Sequence, residues 1–489
     1  MNDEQKNTSD NDQQKSDDFK LKEETPVSTQ HSIRVGRKTL KYTATVGRMP
    51  LKDDKGEVQA NMSFFAYTLD DVKDVADRPL AFVYNGGPGS SSVWLHLGAV
   101  GPKRVVMQDE GWMPQQPYRL EDNPHTWLDM MDMVFIDPVG TGYSRAENPD
   151  KNKENYWTTE KDIESVGEFI RMYLTRYSRW ASPLFLAGES YGTTRSAGLS
   201  DHLLDRGMAV SGIVLISTVL NMQGLRFERG NDLPYHLYLP TYAATAWYHG
   251  KLDDDLQAMS VAEVVALAEA YAEDEYALAL LKGDKLDDED YQYHVEQVAR
   301  FTGLTPDYVD RANLRVHIIR FCKELRRDDR RTVGRLDSRF EGNDADAVGE
   351  FFEFDPSFNA IIPPYTAMFN QYVRAELGYE SDLKYEILSF QVNQNWDSGN
   401  GKFTDTSEAL RKALSKNPHT QVMAAQGYYD LATPHFAWLY TFNHMNLTPE
   451  QRARFRTTYY EAGHMMYLHT GELEKLKQDV LAFVGDILK

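Results

Sequence analysis

The sequence predicts an α/β fold in which a mixed, mostly parallel sheet is flanked by helices and carries a mainly helical inserted domain. Short, continuously apolar runs recur along the chain, and helical patterns lie between them. Strands buried on both faces of a parallel sheet have this continuous apolar character, and the alternation of strand and helix favours an open sheet. A long, charge-rich helical stretch then interrupts the alternation, which indicates an insertion.

The predicted strands fall into two groups. From about residue 31 to 68, apolar and polar residues alternate, which is typical of antiparallel strands with one solvated face at the edge of a sheet. The buried parallel strands are predicted at PLAFVY (79–84), MVFI (133–136), PLFLAG (183–188), GIVLIS (212–217) and QVMAA (421–425). The segment TEKDIESVGEFIRMYLTRY, between two of these runs, carries apolar residues at helical spacing.

The domain organisation follows from this rhythm. We predict that residues 218–390 form a helical cap, inserted into a core that comprises residues 31–217 and 391–489. Aromatic runs such as LPYHLYLPTYAATAWYHG form either the core of the insert or a surface that faces substrate. Residues 1–30 begin with a polar, charged stretch and are predicted to be a disordered N-terminal tail.

Charge and hydropathy exclude two classes of partner. The chain has 53 Lys and Arg against 74 Asp and Glu, which gives a formal charge of −21. Such a surface repels phosphate backbones and anionic lipid headgroups, so we expect no nucleic-acid or membrane partner. No apolar run approaches the ~18 residues needed to span a bilayer.

The single cysteine, Cys322, lies in the helical pattern HIIRFCKEL, where we expect it to be buried. With one cysteine no intramolecular disulfide can form. The N-terminus lacks the basic start and apolar stretch of a signal peptide. These features favour a cytoplasmic protein, unless an export signal was removed, in which case it would be periplasmic or secreted.

The segment PLFLAGESYGTTRSAGLSDHLL runs from an apolar strand through a G-x-S-x-G turn into a helical pattern. This context is that of a nucleophile elbow, in which a strained turn lifts the hydroxyl of Ser190 above the sheet. Gly188 and Gly192 avoid clashes that any side chain would cause in so tight a turn. The backbone N–H of Tyr191, at the start of the helix, would face a developing oxyanion.

A serine hydroxyl needs a base, usually a histidine that a carboxylate orients. Asp430 follows the strand QVMAA, and His464 follows the β-like run RFRTTYY. Both lie at the ends of predicted strands, in the chain order Ser, Asp, His that α/β hydrolases use. The alternatives are an N-cap role for Asp430 and a packed loop position for His464. The other candidate bases are His435, His444 and His469.

A glycine-rich segment, YNGGPGSSSVWLHLGAVGP, follows the first buried strand. Consecutive glycines let the backbone approach a ligand closely and present N–H donors, as the second half of an oxyanion hole requires. A flexible glycine-rich turn is the alternative. We find no HExxH, paired CxxC or phosphate-loop pattern, so no metal and no other cofactor is implied.

Five segments resemble the signature motifs of the serine carboxypeptidases, in the family order. They are NGGPGSSS (85–92), DPVGTGYSRA (137–146), GESYG (188–192), GYYDLATP (427–434) and AGHMMY (462–467). The resemblance implies an α/β-hydrolase fold and hydrolysis of the C-terminal peptide bond of a peptide substrate through an acyl-enzyme. It implies a catalytic triad of Ser190, Asp430 and His464, with the N–H groups of Gly87 and Tyr191 as the oxyanion hole.

The resemblance also implies a site for the terminal carboxylate of the substrate. Matched residue by residue, Asn85 and Glu189 would hydrogen-bond this carboxylate, assisted by the backbone of Gly86. Two carboxyl groups that share a site cannot both ionise cheaply, so Glu189 must be protonated to donate its hydrogen bond. The chain departs from the family at Ser90, where relatives usually have a cysteine, and the usual disulfides of the family cannot form.

Other functions use the same residues. An α/β-hydrolase esterase or acyltransferase would employ the same triad without reading a C-terminal carboxylate. A non-catalytic binding protein could retain the fold. The sequence leaves open the side-chain preference, the choice between hydrolysis and acyl transfer, and the oligomeric state, of which a homodimer is one form.

Overall fold

A ten-stranded sheet organises the computed structural model, which describes residues 21, 23–398 and 403–489. The strands are β1 Val27–Val35, β2 Lys38–Lys52, β3 Val58–Leu69, β4 Leu80–Tyr84, β5 Lys103–Val105, β6 Leu120–Asp122, β7 Asp132–Ile136, β8 Arg145–Ala146, β9 Leu184–Glu189, β10 Val210–Ile216, β11 Thr332–Val333, β12 Glu341–Gly342, β13 Gln421–Gly427 and β14 Phe455–Tyr460. The order is β1-β2-β3-β7-β4-β9-β10-β13-β14, and β8 pairs with β3. Separate two-stranded ribbons join β5 to β6 and β11 to β12.

The direction of the strands divides this sheet. Strands β1, β2, β3 and β7 pair antiparallel, whereas every pairing from β7 through β4, β9, β10 and β13 to β14 is parallel. The residues of β4 and β7 are buried throughout, as expected for strands covered on both faces. The predicted mixed sheet, with an antiparallel edge and a parallel centre, is confirmed.

Helices cover the sheet and build the insert. They are α1 Asn152–Asn155, α2 Thr159–Arg176, α3 Tyr191–Leu204, α4 Leu233–Tyr248, α5 Asp254–Gln257, α6 Val261–Tyr271, α7 Ala277–Lys282, α8 Asp288–Thr302, α9 Pro306–Arg311, α10 Ile318–Glu324, α11 Pro356–Ala375, α12 Phe390–Asn395, α13 Ser407–Lys416, α14 His435–Asn443, α15 Pro449–Arg452 and α16 Thr470–Ile487. In α2, the side chain of Thr158 caps the first turn by accepting from the N–H of Lys161. Its apolar stripe, including Val166, Phe169 and Ile170, is buried.

The N-terminal boundary differs from the prediction. Strand β1 begins at Val27, which pairs with Val46 of β2, so ordered structure starts before the predicted boundary at residue 31. The alternating pattern continues into this polar stretch because only one face of the edge strand packs against the molecule. Residues 1–20 and 22 of the predicted tail lie outside the described residues.

The predicted insert packs in two ways. Helices α4, α6, α8 and α10 share one hydrophobic cluster, which is the core of a helical layer. Helix α11 instead buries Ile361 and Phe369 in the cluster that covers the sheet, together with Phe65 and Phe135. The division into an insert of residues 218–390 and a surrounding core stays a prediction. The last part of the predicted insert, which includes α11, packs with the sheet.

Cys322 is fully buried in α10, as expected for an unpaired thiol that acts as a small apolar side chain. Among the described helices, none combines the length and apolar character that a membrane crossing requires. The described residues also contain no group of three or more His, Cys, Asp and Glu side chains that could hold a metal ion.

Candidate active site

Ser190 lies on a sharp turn between β9 and α3. Its backbone adopts φ 59° and ψ −129°, a conformation that non-glycine residues rarely occupy. The N–H of Ser190 donates to the carbonyl oxygen of Ile216 at the end of neighbouring β10, with a distance of 2.9 Å. The turn is therefore held by the sheet, and the strain is offset by its surroundings.

Steric constraints require glycine at positions 188 and 192 of the turn. A Cβ atom at Gly188 would lie 2.1 Å from the carbonyl oxygen of Gly192. A Cβ atom at Gly192 would lie 2.8 Å from the carbonyl oxygen of Tyr84. Both neighbours are backbone atoms that cannot rotate away, so the turn brings β9, α3 and the end of β4 closer than side chains permit.

The glycine-rich segment after β4 passes directly beside this turn. A Cβ atom at Gly86 would lie 2.4 Å from the backbone nitrogen of Tyr191. Gly87, with φ +106°, continues the segment in a conformation that favours glycine. The N–H groups assigned to the oxyanion hole, on Gly87 and Tyr191, thus belong to two adjoining backbone segments around Ser190.

Asp430 and His464 are bonded to each other. His464 Nδ1 lies 2.7 Å from Asp430 Oδ2, and both side chains are buried. The N–H groups of Ala432 and Thr433 donate to Asp430 Oδ1, at 2.8 and 3.0 Å, and the Thr433 hydroxyl donates to Oδ2 at 2.7 Å. These bonds fix the carboxylate, which in turn orients the imidazole and leaves Nε2 free to act as a base.

Electrostatics favours the charged form of His464. Burial opposes the imidazolium, but the charge and the hydrogen bond of Asp430 outweigh burial and raise the pKa of His464. The nearby carboxyl group of Glu189 acts in the same direction. A histidine in this setting can hold the proton that it accepts from a nucleophile.

The competing histidines occupy other places. His435 is buried, and its Nε2 lies 2.9 Å from Glu269. His444 ends α14 and is exposed. His469 caps the N-terminus of α16, and its Nε2 lies 3.4 Å from Glu110. None of these three lines the cavity that contains Ser190.

The carboxyl group of Glu189 is buried beside Ser190. The hydroxyl of Tyr467 donates to Glu189 Oε2 at 2.6 Å. Burial raises the pKa of Glu189 to about 7, against the opposing effects of the nearby His464 and the Tyr467 hydrogen bond. The group therefore remains protonated well above the pH at which an exposed glutamate ionises.

Asn85 lies on the same side of Ser190. Its Oδ1 accepts a hydrogen bond of 3.0 Å from the N–H of Leu95, which fixes the orientation of the amide. Its Nδ2 is buried near the Glu189 carboxyl and the Tyr467 hydroxyl but forms no hydrogen bond of good geometry within the described part of the chain. An unpartnered buried donor costs free energy unless a ligand completes it.

A cavity of about 650 Å³ brings these groups together. All the predicted site residues except Asp430 line it: Asn85, Gly86, Gly87, Glu189, Ser190, Tyr191 and His464. Asp430 is fully buried and bonded to His464. The insert contributes Tyr238, Phe352 and Phe358 to the wall, so its aromatic residues serve both as packing and as lining.

Sequence reasoning missed two groups that hold the site. Arg195 in α3 is buried, pairs with Asp162 of α2 at 2.7 Å, and donates to the carbonyl oxygen of Asn85 at 2.8 Å. Asp337 accepts a hydrogen bond of 3.0 Å from the N–H of Gly463, next to His464. The bonds to Asn85 and Gly463 have no local signal, because each joins segments more than 100 residues apart.

The sheet order and the strand, turn and helix around Ser190 are those of the α/β-hydrolase fold. The family profile described as serine carboxypeptidase (Peptidase_S10) matches residues 50–484. The chain therefore belongs to the serine carboxypeptidase family.

Individual relatives are more distant. The chain is 32% identical over 155 residues to the pheromone-processing carboxypeptidase KEX1 of Saccharomyces cerevisiae (strain JAY291), covering 30% of this chain and 20% of that protein. It is 23% identical over 223 residues to serine carboxypeptidase-like 9 of Arabidopsis thaliana, covering 42% of this chain and 48% of that protein. The match thus spans less than half the length of either curated relative.

Among solved structures, the chain is similar to KEX1(delta)p, a prohormone-processing carboxypeptidase from Saccharomyces cerevisiae. The TM-score is 0.59 at 15% identity, with 91% of this chain and 92% of that chain covered. At this identity, the similarity shows the fold.

Proposed function

We propose that this chain is a serine carboxypeptidase that releases C-terminal residues from peptides. The hydroxyl oxygen of Ser190 attacks the last peptide carbonyl, and His464 Nε2 takes the hydroxyl proton and passes it to the leaving amine. Asp430 stabilises the imidazolium, and the N–H groups of Gly87 and Tyr191 stabilise the oxyanion. Water then attacks the acyl-enzyme, with His464 again as the base, and releases the shortened peptide.

The observation that carries this proposal is the buried carboxyl of Glu189 in the cavity. A carboxylate substrate would be repelled by an ionised glutamate, but with a pKa of about 7 Glu189 can stay protonated and donate a hydrogen bond to it. The unpartnered Asn85 Nδ2 offers a second donor. An esterase or acyltransferase that ignores the C-terminus has no use for this pair.

The test compares one peptide with a free C-terminal acid and the same peptide as its C-terminal amide. We expect mass spectrometry to show loss of single C-terminal residues from the acid, with kcat/KM for the amide lower by at least about 100-fold. Equal rates for both peptides, with ester substrates also turned over, would support the esterase alternative instead. Transfer of the acyl group to an added alcohol in place of water would support the acyltransferase.

A further inference from the structure

Two arginines, Arg226 and Arg335, line the cavity that contains Ser190. Arg226 follows the short helical turn at 222–225, shortly after β10, and Arg335 lies in the connection between β11 and β12. In the part of the chain that the structure describes, neither guanidinium donates a hydrogen bond or forms an ion pair. Both residues are exposed.

Other arginines of the same layer are committed to partners. Arg315 Nε lies 2.8 Å from Asp232, and Arg339 Nη2 lies 2.7 Å from Asp337. In a chain with a formal charge of −21, acidic partners are abundant. Two arginines without a partner, facing one cavity, therefore form a positive region in an otherwise acidic protein.

The acidic groups of the cavity do not neutralise this region. Glu189 has a pKa of about 7, so its charge is suppressed at and below neutral pH. Asp355 caps the N-terminus of α11, where its carboxylate accepts hydrogen bonds from the N–H groups of Ser357 and Phe358, at 3.0 and 3.4 Å. It also accepts from the backbone N–H groups of Arg335 and Leu336, at 3.2 and 3.3 Å, but forms no ion pair with the Arg335 guanidinium. The helix terminus already compensates the charge of Asp355.

Tyr238 lines the same cavity as the two arginines. Its ring is buried in the cavity wall, and its hydroxyl makes no hydrogen bond within the described residues. Burial raises the pKa of Tyr238, the positive charges of Arg335 and Arg226 oppose the rise, and the negative charge of Asp430 adds to it. A phenol and two guanidinium groups provide the donors that a carboxylate binds best.

The sheet order places this region relative to the scissile bond. Strand β9, which ends at Ser190, lies between β4 and β10. Asn85 and Gly87 follow β4, whereas Arg226 follows β10 on the other side of Ser190. A peptide whose terminal carboxylate is held on the β4 side therefore extends across Ser190 towards Arg226. Arg335 precedes Leu336, whose carbonyl oxygen accepts from the N–H of His464.

We propose that Arg226 and Arg335 select substrates with an acidic side chain on the acyl side of the scissile bond, in the residue before the one released. This inference rests on the proposed carboxypeptidase activity and names its substrate class. The arginines attract the ionised side chain, and Tyr238 adds a neutral donor.

The test uses N-blocked peptides that share a C-terminal alanine and differ only in the preceding residue, which is Glu, Gln or Lys. At about pH 6, above the usual pKa of a glutamate side chain of ~4.3, we expect kcat/KM for Glu to exceed that for Gln by roughly tenfold. Lys should be worse than Gln. The Glu to Gln ratio should fall as salt is added, because salt screens charges at an open cavity.

Variants test whether the preference for Glu over Gln depends on Arg226 and Arg335. Arg226→Gln and Arg335→Gln should each lower the Glu to Gln ratio roughly threefold, and the double variant should bring it close to one. Arg226→Lys keeps the charge and should retain part of the preference. Arg229→Gln is the matched control, since it removes the same charge from an exposed arginine three positions away that does not line the cavity.

The outcomes separate this inference from the proposed function. Release of alanine at equal rates from the Glu and Gln peptides would overturn the acidic preference and leave the carboxypeptidase activity standing. A ratio that falls equally in Arg229→Gln would also overturn it, since net charge would then explain the effect. No alanine released from any of the peptides would overturn both proposals.

Discussion

The backbone N–H of His464 donates a hydrogen bond of 2.6 Å to the carbonyl oxygen of Leu336, which belongs to the predicted insert. The next residue, Asp337, accepts from the N–H of Gly463, and the N–H of Ser338 donates to the carbonyl oxygen of Tyr429, each at 3.0 Å. The connection between β11 and β12 thus holds both loops that carry the imidazole and the carboxylate. The position of His464 depends on a segment far from it in sequence.

We predict that Asp337→Asn lowers kcat roughly tenfold with a smaller change in KM, because the loop of His464 loses a charged acceptor. It also removes the buried carboxylate partner of Arg339 and leaves only the half-exposed Glu110 at 3.2 Å, so the free energy of unfolding should fall by about 2 to 4 kcal/mol. Steady-state kinetics and thermal unfolding measure the two effects. The control is Asp329→Asn, which removes an exposed carboxylate paired with Arg326 and Lys251 and should change stability by less than ~1 kcal/mol. Equal behaviour of the two variants would contradict the holding role.

Ser190→Ala and His464→Gln should each lower kcat by at least ~1,000-fold, because nucleophile and base act as one unit. A fluorophosphonate probe should label the wild-type protein and fail to label Ser190→Ala. His444→Gln is the matched control, since this exposed histidine ends a helix away from the cavity. Labelling of folded Ser190→Ala at the wild-type rate would show that another residue is the nucleophile.

The pH dependence should differ between two kinds of substrate. His464 must be neutral to accept a proton, so activity rises as the pH increases through its raised pKa. Glu189 must be protonated to bind a terminal carboxylate, so kcat/KM for free-acid peptides falls as the pH rises above about 7. Blocked esters should show only the rising limb.

The variant Glu189→Gln checks this assignment, because a glutamine amide donates a hydrogen bond at every pH. We expect it to remove the falling limb for free-acid peptides and to leave the rising limb in place. Kinetics of an acid peptide and its ester across the pH range measure both limbs. Profiles of the same shape for acid and ester in the wild-type protein would exclude the role of Glu189.

Gly188→Ala should destabilise the protein by roughly 2 to 4 kcal/mol and abolish activity, because the new methyl group would meet the backbone oxygen of Gly192. Chemical denaturation and probe labelling of Ser190 measure the two losses. Gly485→Ala is the control, since a Cβ atom there meets no atom within 4 Å and the residue lies inside α16. We expect it to stabilise by about 0.5 to 1 kcal/mol. A Gly188→Ala protein as stable as the wild type would refute the steric argument.

Local patterns predicted the elements that local forces form. The buried strands β4, β7, β9, β10 and β13 lie where continuous apolar runs placed them, because burial on both faces leaves no alternation. The beginning of β1 was missed, since its polar residues become a strand only by pairing with β2. The amphipathic pattern of α11 shows that one face is buried but not that this face packs on the sheet.

The sequence by itself determined which candidate residues surround Ser190: the glycines of the turn, the order of Ser, Asp and His, and the carboxyl group of Glu189 next to the proposed nucleophile. These features lie within a few residues of strand ends, where backbone geometry follows from local composition. Only the tertiary structure decided that Glu189 has a pKa of about 7, that Leu336 holds the loop of His464, and that Arg226 and Arg335 face the same cavity. Desolvation and charge depend on every atom that surrounds a group, and segments distant in sequence supply most of those atoms.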